Sequence, residues 1–382
     1  MGAGEPPVVA GKQPFLIRLR GWIFCAFTAI SALLGTIFII TPLLPILYIK
    51  PRLWRKCMDR LVGIWVVMPG ALMTYVFGAR VRIRGDMIDH SKPALIVMNH
   101  RTRLDWLYFW NALFKMDPWL CTSEKIILKG ILRLIPGAGW AMACNSYIFL
   151  NRRFEKDQSR LHSILNYFAQ CGYNYQILLY PEGTDKCPLA TERSRKYAEK
   201  NGLINYEYVL HPRTTGFVYI IQNMRKAGYI DFLYDVTIGF GDCIVQSEVD
   251  FAMHGVCSKD VHYQVKKVKI GDLPLDDEKL ANWLITLWRK KEEKLRHFYS
   301  KAPSEREFEN TPDGRDYEMS KGVYVTQLCI IAFWSLTTLI WLYGFLMVPY
   351  MATFSAISCT IFIAIQYRWD GIEWLTIQLF DP

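Results

Sequence analysis

The chain has 382 residues, enough for one large domain or two, with 52% hydrophobic residues, a formal net charge of +10 and a pI near 9.0. Its apolar residues are gathered in blocks, which favours an anionic membrane surface over nucleic acid as the partner of a basic protein. The 10 cysteines are scattered, with no Cys-x-x-Cys pair, so neither a metal site nor a disulfide framework is indicated.

Residues 1–20 carry Gly2, Gly4, Pro6, Pro7 and Pro14 and read as a flexible leader. Residues 21–49 hold no charge. The run exceeds the roughly 20 apolar residues that span a bilayer and is too short for two crossings. Pro42 and Pro45 are expected to end or kink this membrane helix. Segment 50–79 opens with Lys50, Arg52, Arg55, Lys56 and Arg60, a basic cluster that the positive-inside rule puts in the cytosol. Contact with anionic headgroups is a second use for it. Residues 61–79 are apolar and broken by Pro69-Gly70, which suits a span, an interfacial helix or a cap on the next domain.

From 80 to 301 the composition turns globular. Apolar runs at 94–98, 147–150, 176–180, 235–240 and 261–270 read as strands. Helical patterns lie at 160–171, at 216–227 with Gly228 as C-cap, and at 276–301, acidic at its start and basic at its end. Such alternation predicts an α/β domain, a mixed sheet with flanking helices, set between N- and C-terminal membrane helices. A charged linker follows at 302–321. Residues 322–367 are uncharged with Pro349 near their middle, long enough for a transmembrane hairpin, and 368–382 form a tail.

Four polar stretches stand at strand ends or helix starts. The first is Asn99-His100-Arg101-Thr102-Arg103-Leu104-Asp105, in which Thr102 is a plausible helix N-cap and Asp105 lies in the first turn. A carboxylate bonded to one ring nitrogen fixes the imidazole tautomer and leaves the other as a base. The other three are Tyr147-Ile148-Phe149-Leu150-Asn151-Arg152-Arg153, Tyr180-Pro181-Glu182-Gly183-Thr184, and His211-Pro212-Arg213-Thr214-Thr215-Gly216. Glycine at 183 permits a tight turn and close approach of backbone to a ligand.

In that order these motifs resemble the glycerolipid acyltransferases related to 1-acylglycerol-3-phosphate acyltransferase, over about residues 61–301. The wording of the first, third and fourth, with the C-terminal hydrophobic hairpin, is similar to the branch acting on lysocardiolipin and lysophosphatidylinositol. The resemblance implies that His100 is the general base, oriented by Asp105, that deprotonates a lysophospholipid hydroxyl for attack on acyl-CoA. It implies no metal or redox cofactor, acyl-CoA as co-substrate, and an endoplasmic reticulum membrane protein whose catalytic domain faces the cytosol. Backbone amides near Gly183 or at the Thr102 helix start are expected oxyanion donors. Glu182, Gly183 and Thr184 are expected to contact substrate, with Lys129, Arg152, Arg153 and Arg213 as phosphate contacts. Asp185 stands where the lysophosphatidate enzymes usually carry a basic residue. Its charge is expected to repel a phosphomonoester and to favour a phosphodiester lipid.

Other classes are disfavoured. The serine-hydrolase elbow Gly-x-Ser-x-Gly is missing, as is the phosphate loop of nucleotide-dependent enzymes. A membrane scaffold would need no polar motifs at strand ends.

Overall fold

The computed structural model describes residues 4–151, 153–312, 314 and 317–380. Helices α1 (Phe15–Gly35), α2 (Thr41–Ile49) and α3 (Pro51–Tyr75) precede strands β1 (Arg80–Gly85) and β2 (Ala94–Met98). Then come α4 (Asp105–Met116), α5 (Leu120–Ser123), β3 (Glu124–Lys129), α6 (Ala138–Cys144), β4 (Ile148–Leu150), α7 (Phe154–Cys171) and β5 (Gln176–Leu179). The rest of the domain is α8 (Pro188–Lys200), α9 (Thr214–Lys226), β6 (Phe232–Phe240), α10 (Glu248–His254), β7 (Asp260–Lys269) and α11 (Asp277–Ser300). Helices α12 (Lys321–Met347), α13 (Pro349–Trp369) and α14 (Ile372–Phe380) complete the described chain.

The strands form one mixed sheet in the order β1-β7-β6-β2-β5-β3-β4. Strands β6, β2, β5, β3 and β4 run parallel; β7 is antiparallel to β6 and carries β1 parallel beside it. Every residue of β2 is buried, as a central strand covered on both faces requires. On one face Ile96 and Met98 pack with residues of α3, α4 and α6. On the other, Leu95 and Val97 pack with residues of α7, α9 and α11. Because the parallel strands share a direction, the loops after β2, β5, β3 and β4 emerge at one edge, where open α/β sheets bind ligands.

Among the described residues, four segments are long and apolar enough to cross a membrane: Phe15–Ile49, Pro51–Tyr75, Lys321–Met347 and Pro349–Trp369. In the first, Pro42 and Pro45 do not end the helix. A π turn at Thr36–Ile40 precedes them, and the rod continues to Ile49. Gly255 lets this rod lie close on α10: it sits at φ +63°, and a Cβ there would be 1.7 Å from the Ile17 carbonyl oxygen. Helix α3 is also drawn onto the domain. Arg55, from the basic cluster, is fully buried and bonds Asp59, Ser146 and Asn145, while Lys50, Arg52, Lys56 and Arg60 remain exposed. Lys125 Nζ closes the same network on Asp59 at 2.7 Å.

Both expected chain ends differ from the structure. The leader is held: the Val9 N–H bonds the Ile244 carbonyl at 2.8 Å, and Ile244 N–H bonds Pro7 at 3.0 Å. In the tail, α14 packs against α6 and α13, and Asp370 pairs with Arg133 and Arg160. The leader is held by backbone bonds, whereas the tail also buries Ile372 and Leu375 in the core and packs Ile377 and Phe380 against it.

Candidate active site

The β2 strand ends at Met98, and the chain turns through Asn99. That side chain bonds the Ile238 carbonyl and amide on neighbouring β6, at 3.1 and 2.9 Å, fixing the turn to the sheet. His100 then points its Nδ1 at Asp105 Oδ2, 3.0 Å away. Asp105 is wholly buried and accepts the Arg101 N–H at 2.7 Å, the Thr102 N–H at 3.1 Å and the Thr102 hydroxyl at 2.8 Å. Three donors besides the imidazole hold the carboxylate, so the imidazole docks against a fixed group. With Nδ1–H donated to Asp105, Nε2 carries the free lone pair. Tyr180 stacks on the imidazole with ring centroids 4.1 Å apart.

Thr102 does not cap the helix as expected. Helix α4 begins at Asp105, preceded by Leu104 without a side-chain cap. The Thr102 hydroxyl instead accepts the Leu104 N–H and donates to Asp105. This tight turn places the histidine and the carboxylate face to face.

Strand β5 delivers Tyr180 and the Pro181-Glu182-Gly183 turn beside it. Gly183 has φ +74°, and its N–H closes the turn on the Tyr180 carbonyl at 2.9 Å. That amide and the Thr102 amide are therefore both occupied, which takes these two out of the set of expected oxyanion donors. Glu182 turns inward. Its oxygens accept the His100 N–H at 3.3 Å, the Trp288 indole N–H at 3.2 Å and the Leu210 N–H at 3.2 Å. Burial pushes its carboxyl up to about 8. In this arrangement Glu182 joins the His100 turn to α11 and is buried, not open to contact a substrate as expected from the sequence.

Thr184 is half-buried, its hydroxyl 3.4 Å from Asp185. Asp185 is 5% exposed, accepts Gln246 at 3.0 Å and lies 3.7 Å from the Arg103 guanidinium. Its charge is paired within the protein, which removes the repulsion expected of it. Arg213 is exposed and lies over Gly183, where a Cβ would be 3.4 Å from its Nε. Lys129 ends β3 and Arg153 precedes α7, both exposed on the same edge as His100. Adjacent strands are about 4.8 Å apart, so β3 and β4 stand about 10 and 14 Å from β2. Arg152 lies outside the described residues.

Several residues at the site carry no sequence signal. Trp288, on α11, reads as a packing residue yet holds Glu182. Gln246 bonds Arg101 twice, at 2.9 Å and 3.2 Å, as well as Asp185. Only their position in the fold reveals these roles.

A family model described as Acyltransferase matches residues 80–241, and one described as Acyltransferase C-terminus matches 252–334. Lysophosphatidylinositol acyltransferase 10 of Caenorhabditis elegans is 39% identical over 95% of this chain and 94% of its own. The chain belongs to the 1-acylglycerol-3-phosphate acyltransferase family, in the lysocardiolipin and lysophosphatidylinositol acyltransferase branch. It is an acyltransferase. Lysocardiolipin acyltransferase 1 of Mus musculus is 34% identical over 96% of each chain. The same protein of Gallus gallus is 39% identical over 74% of each. The first family model spans β1 through β6, and with them every expected site residue of this acyltransferase.

Proposed function

We propose that this acyltransferase moves an acyl group from acyl-CoA to the hydroxyl of a lysophospholipid, with His100 as general base. The observation that carries the reading is the His100 Nδ1–Asp105 bond, on a carboxylate already held by Arg101 and Thr102. Nε2 takes the hydroxyl proton as the oxygen attacks the thioester carbonyl carbon. The carbon–sulfur bond then breaks, and the imidazolium returns the proton to the coenzyme A thiolate. A positioned base contributes about 10²–10⁴-fold to such a step. Asp105 stabilises the imidazolium that forms between the two transfers.

The acceptor we favour is lysophosphatidylinositol or lysocardiolipin, on the names of the relatives that match nearly the whole chain. Arg213 beside the Gly183 turn, with Lys129 and Arg153 further along the edge, would meet the lipid phosphate. Arg152 belongs to the same proposal by its motif. A second reading, lysophosphatidate as acceptor, gains from the pairing of Asp185, which leaves no bare carboxylate against a phosphomonoester. We place the enzyme in the endoplasmic reticulum membrane with its catalytic edge towards the cytosol, supported by the four apolar helices and the exposed part of the 50–60 basic cluster.

The test is acyl transfer by microsomes carrying wild type or His100→Ala, given radiolabelled oleoyl-CoA and a panel of lysophospholipids. The variant is expected to lose transfer with every acceptor. Equal transfer by both proteins overturns the base assignment, and the ranking of acceptors decides between the two readings.

A further inference from the structure

We propose that residues 4–9 form a strap that positions the catalytic turn, with Glu5 as its positioning residue; this rests on His100 being the base. Arg101 follows the histidine directly and is only 6% exposed. Its Nε and Nη2 both meet the Glu5 carboxylate, the second at 3.1 Å. Its Nη1 donates to the Lys186 carbonyl at 3.0 Å and to Gln246 at 2.9 Å. Glu5 also lies 3.4 Å from Lys186 Nζ, and the Lys186 N–H bonds the His100 carbonyl at 2.8 Å. One carboxylate from the N-terminal segment therefore balances two shielded cations that flank the histidine, one by sequence and one through its carbonyl.

The strap is built independently of that charge. Gly4 accepts Arg306 at 2.6 Å, and the backbone of Pro7 and Val9 pairs with Ile244. Replacing only the Glu5 charge leaves these bonds in place. It does leave Arg101 buried without a counter-ion, the costly half of a broken buried pair. Relief requires the guanidinium to move towards water. Arg101 cannot do so freely, because its own N–H is bonded to Asp105, the carboxylate that orients His100. Strain at Glu5 thus reaches the base most directly through Arg101, the residue that follows it. The effect falls on chemistry rather than on affinity, since Glu5 acts through Arg101 and not on the substrate.

The experiment uses the full chain in lipid-supplemented micelles, comparing wild type, Glu5→Gln, Glu5→Asp, Arg101→Lys and His100→Ala. For Glu5→Gln we expect kcat to fall about 10–10²-fold, as a displacement near 1 Å does, with KM for donor and acceptor changed by less than about twofold. Glu5→Asp should recover part of kcat, and Arg101→Lys, which loses the two-pronged contact, should fall as Glu5→Gln does. Wild-type kcat in Glu5→Gln overturns the proposal. So does a loss that only tracks the folded fraction by size-exclusion chromatography, with Glu5→Asp no better than Glu5→Gln. If His100→Ala is as active as wild type, the base reading fails whatever Glu5 does; if it is inactive while Glu5→Gln is fully active, the strap alone fails.

Discussion

The Glu182 carboxylate accepts the backbone amide of His100: that N–H lies 3.3 Å from Oε1, which also takes the Trp288 indole N–H. Burial pushes this carboxyl up to about 8 against three N–H donors and Lys291, which favour the charged form. A folded-state value above the ordinary 4.5 means that the folded protein holds a proton the unfolded chain releases. Its contribution to stability is therefore complete below 4.5 and declines as pH rises through about 8. The melting temperature of wild type is expected to drop between about pH 5 and about pH 8, and Glu182→Gln should show a shallower drop. Identical slopes would assign the dependence to other groups.

Asp105→Asn tests the orientation of the imidazole. An amide at this position presents one acceptor where the carboxylate serves His100, Arg101 and Thr102, and its NH2 favours the wrong tautomer. Loss of the equivalent carboxylate in serine proteases costs about 10⁴-fold in kcat. A fall of that order with little change in KM is expected; a change confined to KM would rule out the orienting role.

Asp185→Arg separates two views of acceptor choice. From sequence, a cation here should improve use of lysophosphatidate. In the fold, the new guanidinium would replace a buried partner of Gln246 and stand beside Arg103. The expected result is a uniform loss with all acceptors and no change in their ranking. A selective gain with lysophosphatidate in the acceptor panel would restore the electrostatic argument.

Gly255→Ala addresses the seat of the first long helix. The left-handed backbone alone costs an alanine about 1–2 kcal/mol, and the added methyl would meet the Ile17 carbonyl oxygen. Faster proteolysis within Phe15–Gly35 and a lower melting temperature are expected. An unchanged cleavage pattern would show that α1 does not depend on this contact.

The parts most legible in the sequence are those built by local rules. Strand β2 reads as a continuous apolar run and occupies the same five residues in the fold. Helix α11 starts where its acidic cap stands, with Asp276 accepting the Lys279 N–H at 2.9 Å. The His100–Asp105 contact follows from a spacing that a tight turn can close. Strand β3 was hidden by Glu124-Lys125 at its head, a charged pair that resembles a surface loop. In the fold both are buried; burial pushes the carboxyl up to about 8, and burial with the nearby Arg55 charge pushes the amine down to about 8. Strand β1 was hidden by its alternating arginines, which an edge position tolerates because one face meets water. The inward turn of Glu182 and Asp185 depends on Trp288 and Gln246, residues far away in the chain that no local pattern links to them.

The held N-terminal segment also bears on the order in which this protein can be completed. Residues 4–9 leave the ribosome long before Ile244 and Arg306 exist to receive them. Helix α1 follows at once and is apolar enough to be claimed by the membrane during synthesis. The segment must therefore wait on the side of the bilayer where the catalytic domain will form. The contact of Glu5 with Arg101 is therefore made only after the far end of the domain exists, which makes it a late step of folding.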